Sequence, residues 1–155
     1  MRAKRVFIDT NLWLYGLTAS QVAVEQVKHD CAVALFERVM QDTRIMISIQ
    51  VVNECHWNLT RKFGYTDQDV REMIERNMLS IAHVHPVTLR MYRNAFAHRQ
   101  RYTLSFWDSL IMTAALEAEC EILYSEDMQH GQLFEQHLKI VNPFVENAPA
   151  IEQCP

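Results

Sequence analysis

The 155-residue chain carries 15 Lys and Arg against 19 Asp and Glu, a net charge of -4, with 49% hydrophobic and 22% charged residues. A chain of that length buries about 70% of its unfolded surface, and the composition is that of a soluble globular protein. The negative balance excludes a protein that coats nucleic acid nonspecifically, but not an acidic site with Lys and Arg around it. With 3 glycines there is neither a P-loop nor a dinucleotide fingerprint.

In chain order, Val6-Phe7-Ile8 is apolar without alternation, as in a strand buried on both faces, and it delivers Asp9 where the strand leaves the core. Leu12 to Tyr15 predicts a short helix capped by Thr10 or Asn11 and interrupted at Gly16. Val24, Val27, Cys31, Ala34, Leu35 and Val39 recur at threes and fours, an amphipathic helix ending between Met40 and Asp42. Ile45-Met46-Ile47 is a second strand. Ser48 is placed to cap a helix with Val51, Val52, Cys55, Leu59 and Phe63 on its apolar side, stopped by Gly64.

Thr66 opens a further helix with Val70, Met73, Ile74 and Met78 inward, and Ile81 to His85 is a short strand closed by Pro86. Thr88 starts the helix that ends in Arg99-Gln100-Arg101. Ser105 to Asp108 has capping-box spacing and leads an apolar helix into Cys120. Ile122 to Ser125 and Leu138 to Val141 complete five strands. Alternating strands and helices predict an α/β fold, a three-layer α/β/α sandwich around a mostly parallel sheet. Residues 1–145 are expected to form one domain and 146–155 a loosely ordered tail.

Cys31, Cys55, Cys120 and Cys154 contain no CxxC pair and are expected to be buried free thiols. With no signal-peptide pattern at the start and no apolar run near 18 residues, the expectation is a cytoplasmic protein with no membrane association.

Four acids occupy comparable positions. Asp9 follows the first strand, Glu54 stands early in the helix after the second, Asp108 starts a helix, and Asp127 follows the Ile122 strand. Parallel strands share a direction, so these acids fall at one edge of the sheet, where open α/β sheets keep their sites. At about 5 Å and an effective dielectric of about 20, each like-charged pair costs on the order of 3 kcal/mol. Such a cluster calls for a cation, and carboxylates plus water suit Mg2+ or Mn2+. An ion of that kind activates water for attack on phosphorus, which is phosphodiester hydrolysis.

These residues resemble the PIN domain family and, within it, the VapC-type ribonuclease toxins. Phe7-Ile8-Asp9-Thr10-Asn11 matches the opening motif, Asn53-Glu54 the second, Trp107 to Ile111 with Ala114-Ala115 the third, and Leu123 to Gly131 the fourth. The similarity spans Val6 to Phe144. It implies a PIN-like fold and a metal-dependent endoribonuclease with an RNA substrate, paired with a small antitoxin and often a homodimer. By that resemblance Asp9, Glu54, Asp108 and Asp127 hold the metal and carry catalysis, while Thr10, Asn11 and Ser125 orient ligands or water from behind them.

Competing assignments stay open at this point. Thr10, Asn11 and Ser125 are good caps, a commoner role than metal contact. Glu126 is expected to be a solvated residue, and Trp13, Trp57 and Trp107 core or interface residues. Arg61, Lys62, Arg99 and Arg101 are the candidate phosphate contacts, as is His130, although a lone histidine is more often structural. The rival functions are a catalytically silent PIN-like module that binds RNA or protein, and a structure-specific DNA nuclease.

Overall fold

The computed structural model describes residues 3–145; the expected tail lies outside them. The elements run β1 (Lys4–Ile8), α1 (Thr10–Leu17), α2 (Ala23–Asp42), β2 (Thr43–Ser48), α3 (Ile49–Arg61) and α4 (Asp67–Ile74). After a π-helical turn at Glu75–Leu79 follow β3 (Ala82–His85), α5 (Leu89–Tyr102), α6 (Phe106–Glu117), β4 (Ile122–Tyr124), β5 (Leu133–Phe134) and β6 (Leu138–Val141).

The sheet order is β3-β2-β1-β4-β6-β5. All pairings are parallel except β5 with β6. The five expected strands are present, and the mostly parallel sheet with its helices forms the expected α/β/α sandwich. The sixth, β5, is two residues long, too short to leave a pattern in the sequence. Phe7, Ile8, Ile45, Ile47, Leu123 and Ile140 are each 1% exposed or less, which explains their lack of alternation: helices cover both faces.

Chain order and sheet order diverge at one place. From β1 the chain moves outward through β2 and β3, then returns to lay β4 on the other side of β1. The crevice at the carboxyl ends of β1 and β4 is therefore a topological switch point.

Several local expectations change. The cap of α1 is Asp9, whose Oδ1 accepts the Thr10 N–H at 2.7 Å, and not Thr10 or Asn11. Both of those lie inside the first turn with their side chains directed elsewhere. Gly16 continues α1 instead of interrupting it. Val24 and Val27 are exposed, because the buried stripe of α2 begins only at Cys31. Phe63 lies beyond α3 and is exposed. Ser48 stands at the N-cap of α3 but makes no capping bond. Thr66, Thr88 and Ser105 cap as expected. Cys55 and Cys120 are buried free thiols, whereas Cys31 is disulfide-bonded, against the expectation for it.

The helix that carries Thr10 and Asn11 is fixed from below. Trp13 Nε1 donates to the Ile8 carbonyl at 3.1 Å, and its ring packs on Phe36 with centroids 4.4 Å apart. A Cβ on Gly16 would stand 2.9 Å from Phe36 Cε2. Overpacking of this kind costs about 1–3 kcal/mol, more than the up to about 1 kcal/mol that alanine gains over glycine in a helix. Gly16→Ala is thus expected to lower stability by up to about 2 kcal/mol in urea unfolding, the opposite of its effect on an exposed helix.

Candidate active site

Three hydrogen bonds draw the acids of the switch point together. Asp9, 7% exposed, accepts the Ser125 O–H on Oδ2 at 2.9 Å. Thr10 donates its hydroxyl to Glu54 Oε2 at 2.6 Å, and Asn11 donates its amide to Asp127 Oδ2 at 2.7 Å. Two consecutive residues of one helical turn thus hold carboxylates from two distant segments, and Ser125 holds the carboxylate that caps the same helix. Thr10, Asn11 and Ser125 spend their side chains on acids; Asp9 takes the α1 cap expected of Thr10 or Asn11, while Ser125 Oγ also accepts the Met128 N–H three residues on, as a cap does.

Each acid arrives by a distinct route. Asp9 extends the β1 ladder by one bond, its N–H to the Tyr124 carbonyl at 3.0 Å, which brings it alongside Ser125. Glu54 lies one and a half turns into α3, where Gln50, four residues earlier, donates to its Oε1 at 2.8 Å. Asp108 stands in the first turn of α6, its N–H donating to the capping Ser105 hydroxyl at 3.1 Å. Asp127 is exposed, in the segment after β4.

The electrostatics show that the four share one field. Burial pushes the Asp9 carboxyl up to about 6 against the bonds from Thr10 and Ser125, and the charges of Glu54 and Asp127 push it further. Asp127 is also raised, first by burial, then by Glu126 and Asp108; Lys28 and the Asn11 amide oppose the rise. The donor set is made of hard carboxylate oxygens in mutual repulsion. One more polar atom is unmet: Ser48 Oγ is buried with no partner among the described residues. Continuing the register of β2 against β1 places Ser48 beside Asp9.

Among the described residues no three His, Cys, Asp or Glu side chains form a group that could enclose an ion by themselves. The arrangement therefore fits an ion held by one or two carboxylates and several waters, the habit of Mg2+, and does not fit a full protein cage.

The candidate phosphate contacts divide. Lys62 lines a cleft of about 210 Å³ that also contains Tyr15 and Asn11, the residue bonded to Asp127. Arg61 stacks over Trp57, 5.0 Å from the ring centroid. Arg99 Nε bonds the Leu104 carbonyl, and Arg101 is ion-paired with Glu135 at 3.0 Å. His130 Nδ1 accepts the Asn142 N–H at 3.0 Å, a structural role.

Sequence reasoning missed the setting of Glu126 and left the three tryptophans undivided between core and interface. Glu126 is not a solvated residue: its carboxylate takes the Lys28 ammonium and the Tyr15 hydroxyl. Trp13 is core, but Trp57 and Trp107 are 62% and 61% exposed. They line an apolar groove of about 520 Å³ with Ile49, Val87 and Leu110, and Glu54 stands at its wall. Gln50 carried a usable signal, its i,i+4 spacing to Glu54; the Lys28–Glu126 contact spans 98 residues and carried none.

The raised Asp9 makes a testable statement about the ion-free protein. With a folded value of about 6 against 3.8, the native state binds more protons than the unfolded chain between those values, so stability falls as pH rises through that window. The cost is on the order of 3 kcal/mol once Asp9 ionises. In chelator, Asp9→Asn is expected to be more stable than the parent at pH 8 by up to about that amount, with the gain gone below pH 4. Equal melts of the two proteins at both pH values would refute the assignment.

A family model described as "PIN domain" matches residues 6–133. No curated protein matches the chain. Among solved structures, the chain is similar to VapC20 of Mycobacterium tuberculosis, described as a sarcin–ricin loop cleaving toxin, with 19% identity over 76% of this chain and 86% of that one and a TM-score of 0.61. It is similar to a chain of a Klebsiella pneumoniae toxin–antitoxin complex, with 17% identity, 90% and 98% coverage and a TM-score of 0.64. A third is VapBC2 of Rickettsia felis bound to a promoter DNA fragment, with 15% identity, 88% and 98% coverage and a TM-score of 0.63. These likenesses are of fold, and the family model covers most of the sequence. The chain, with its acids at the β1–β4 switch point, belongs to the PIN domain family.

Proposed function

We propose that this chain is a metal-dependent endoribonuclease, the toxin of a toxin–antitoxin pair, hydrolysing RNA phosphodiester bonds to leave a 5′-phosphate. The observation that carries the proposal is the bonding of Asp9, Glu54 and Asp127 through Ser125, Thr10 and Asn11, which converges three carboxylates in the field of a fourth, Asp108. PIN-family membership and the toxin structures of like fold support it.

Asp9, Glu54, Asp108 and Asp127 would hold Mg2+ or Mn2+, one or two of them directly and the others through its waters. When bound, the ion supplies an activated water and neutralises charge building on the phosphoryl and leaving 3′ oxygens. The residues themselves fix the carboxylates. Each of Thr10, Asn11 and Ser125 donates to one oxygen of an acid, the second oxygens of Asp9 and Glu54 accept the Thr10 N–H and the Gln50 amide, and each carboxylate oxygen has a further lone pair for an ion or water. Without a cation the crevice repels the RNA backbone, so Lys62, in a cleft that shares Asn11 with the site, is the better phosphate contact than Arg101, which is committed to Glu135.

The apolar groove beside Glu54 suits the antitoxin: its tryptophans are large contact surfaces, and an occupant there stands against the acid site. Toxin–antitoxin complexes of like fold support that partner. A cytoplasmic setting and a homodimer belong to the same proposal.

Labelled RNA and DNA of one sequence, incubated with the protein in Mn2+ and in chelator, test the activity. Cleavage of the RNA alone, lost in chelator and reduced at least about 100-fold by Asp9→Asn, is expected. An Asp9→Asn protein that cuts as fast as its parent ends the proposal, and preferential DNA cleavage transfers it to the other nuclease class. Lys62→Glu is expected to weaken RNA binding and to reduce the slope of log affinity against log salt by about 1, read by titration at several salt concentrations.

A further inference from the structure

Beyond β4 the chain has no regular structure until β5, so the sheet ladder does not place Asp127. The last ladder bond is Ser125 N–H to the Val141 carbonyl at 3.0 Å. Residues 125–128 are held instead by side chains. Ser125 reaches Asp9, Asp127 reaches Asn11, and between them Glu126 turns the other way.

Glu126 is gripped from two helices. Lys28 of α2 donates to Oε1, and the Tyr15 hydroxyl of α1 donates to Oε2 at 2.9 Å. Lys28 Nζ also donates to the Tyr15 hydroxyl at 3.3 Å. It lies 5.1 Å from the Tyr15 ring centroid and 5.2 Å from that of Phe144, two rings packed edge to face. The Asn142 amide holds the Glu126 carbonyl at 3.3 Å. The half-buried ammonium is thus flanked by one carboxylate, by the hydroxyl and ring of Tyr15 and by the ring of Phe144, a site shaped for a cation.

We infer that Lys28, with Tyr15, is a positioning residue for Asp127: by pinning and neutralising Glu126 it fixes the 125–128 segment so that Asp127 faces the acid crevice. The role rests on the nuclease reading above for its purpose, but not for its geometry. Glu126 and Asp127 are adjacent carboxylates, and the field at Asp127 has Glu126 opposing its charge and Lys28 favouring it. Without the ammonium, the carboxylate of the half-buried Glu126 keeps only the Tyr15 hydroxyl and repels its neighbour, and the Asn142 amide at its carbonyl is left to hold the backbone. Relief comes by releasing the segment to solvent, and Asp127 leaves with it.

The ion-free full chain tests the clamp alone. The Met128 amide, buried and bonded to Ser125 Oγ at 3.4 Å, reports on the segment, and the Asp9 amide on the sheet. In amide hydrogen exchange, Lys28→Met is expected to speed exchange at Met128 about 10-fold or more with Asp9 unchanged, and Lys28→Arg to stay near the parent. Should Lys28→Met fail to fold, Tyr15→Phe, which removes one hydroxyl and keeps the ring, takes its place with a smaller acceleration. Calorimetric titration with Mn2+ adds a second readout. Affinity is expected to fall about 10- to 100-fold in Lys28→Met and to recover in Lys28→Arg, as for other residues that orient metal ligands. Unchanged Met128 exchange overturns the inference, and so does unchanged Mn2+ affinity in Lys28→Met when the parent binds the ion. If the parent takes no Mn2+, the nuclease reading fails while Met128 exchange still decides the clamp.

Discussion

The pairing of β1 with β4 is the constraint from which the rest of the site follows. The paired residues lie 116 positions apart in sequence, Val6 with Ile122 through Ile8 with Tyr124, and the ladder ends by joining Asp9 to the Tyr124 carbonyl. Once that register is set, a carboxylate and a serine meet at the mouth of the sheet. Helix α3 and the segment after β4 then add the two acids, Glu54 and Asp127, that Thr10 and Asn11 of α1 help to hold. The arrangement is costly by itself, since burial and like charge both oppose ionisation of Asp9. Hydrogen bonds from hydroxyl and amide groups offset part of that cost.

Much of this architecture was legible because its signals are local. Val6-Phe7-Ile8, Ile45-Met46-Ile47 and Ile122-Leu123-Tyr124 are unalternating because both faces are covered, and the acids could be found by asking what stands at the end of each strand. Positions were legible; partnerships were not. Thr10, Asn11 and Asp9 all have capping chemistry, and sequence gave no means of choosing among them. The choice depends on Glu54 and Asp127, which tertiary folding brings within reach of the two residues that do not cap.

The same distinction explains the other misses. Val24 and Val27 continue the periodic stripe of Cys31 and Leu35, but periodicity does not say where the covering layer stops. Glu126 looked like any polar residue in a turn; its environment is built by Tyr15, Lys28 and Phe144 from three separate segments. Trp57 and Trp107 lie on different helices and become one groove only through the packing of α3 and α6 near α5. A tryptophan alone carries no sign of whether its ring ends in the core or on the surface.

Cys55, completely buried one residue past Glu54, lies beneath the acid cluster. Burial first, then the charges of Glu54 and Asp9, push its thiol far above the usual cysteine range. The reactive thiolate is thereby suppressed for as long as α3 stays docked against the sheet. An alkylating reagent meets this sulfur only when that helix lifts, so the rate of its labelling is a clock for the opening of the floor under the carboxylates.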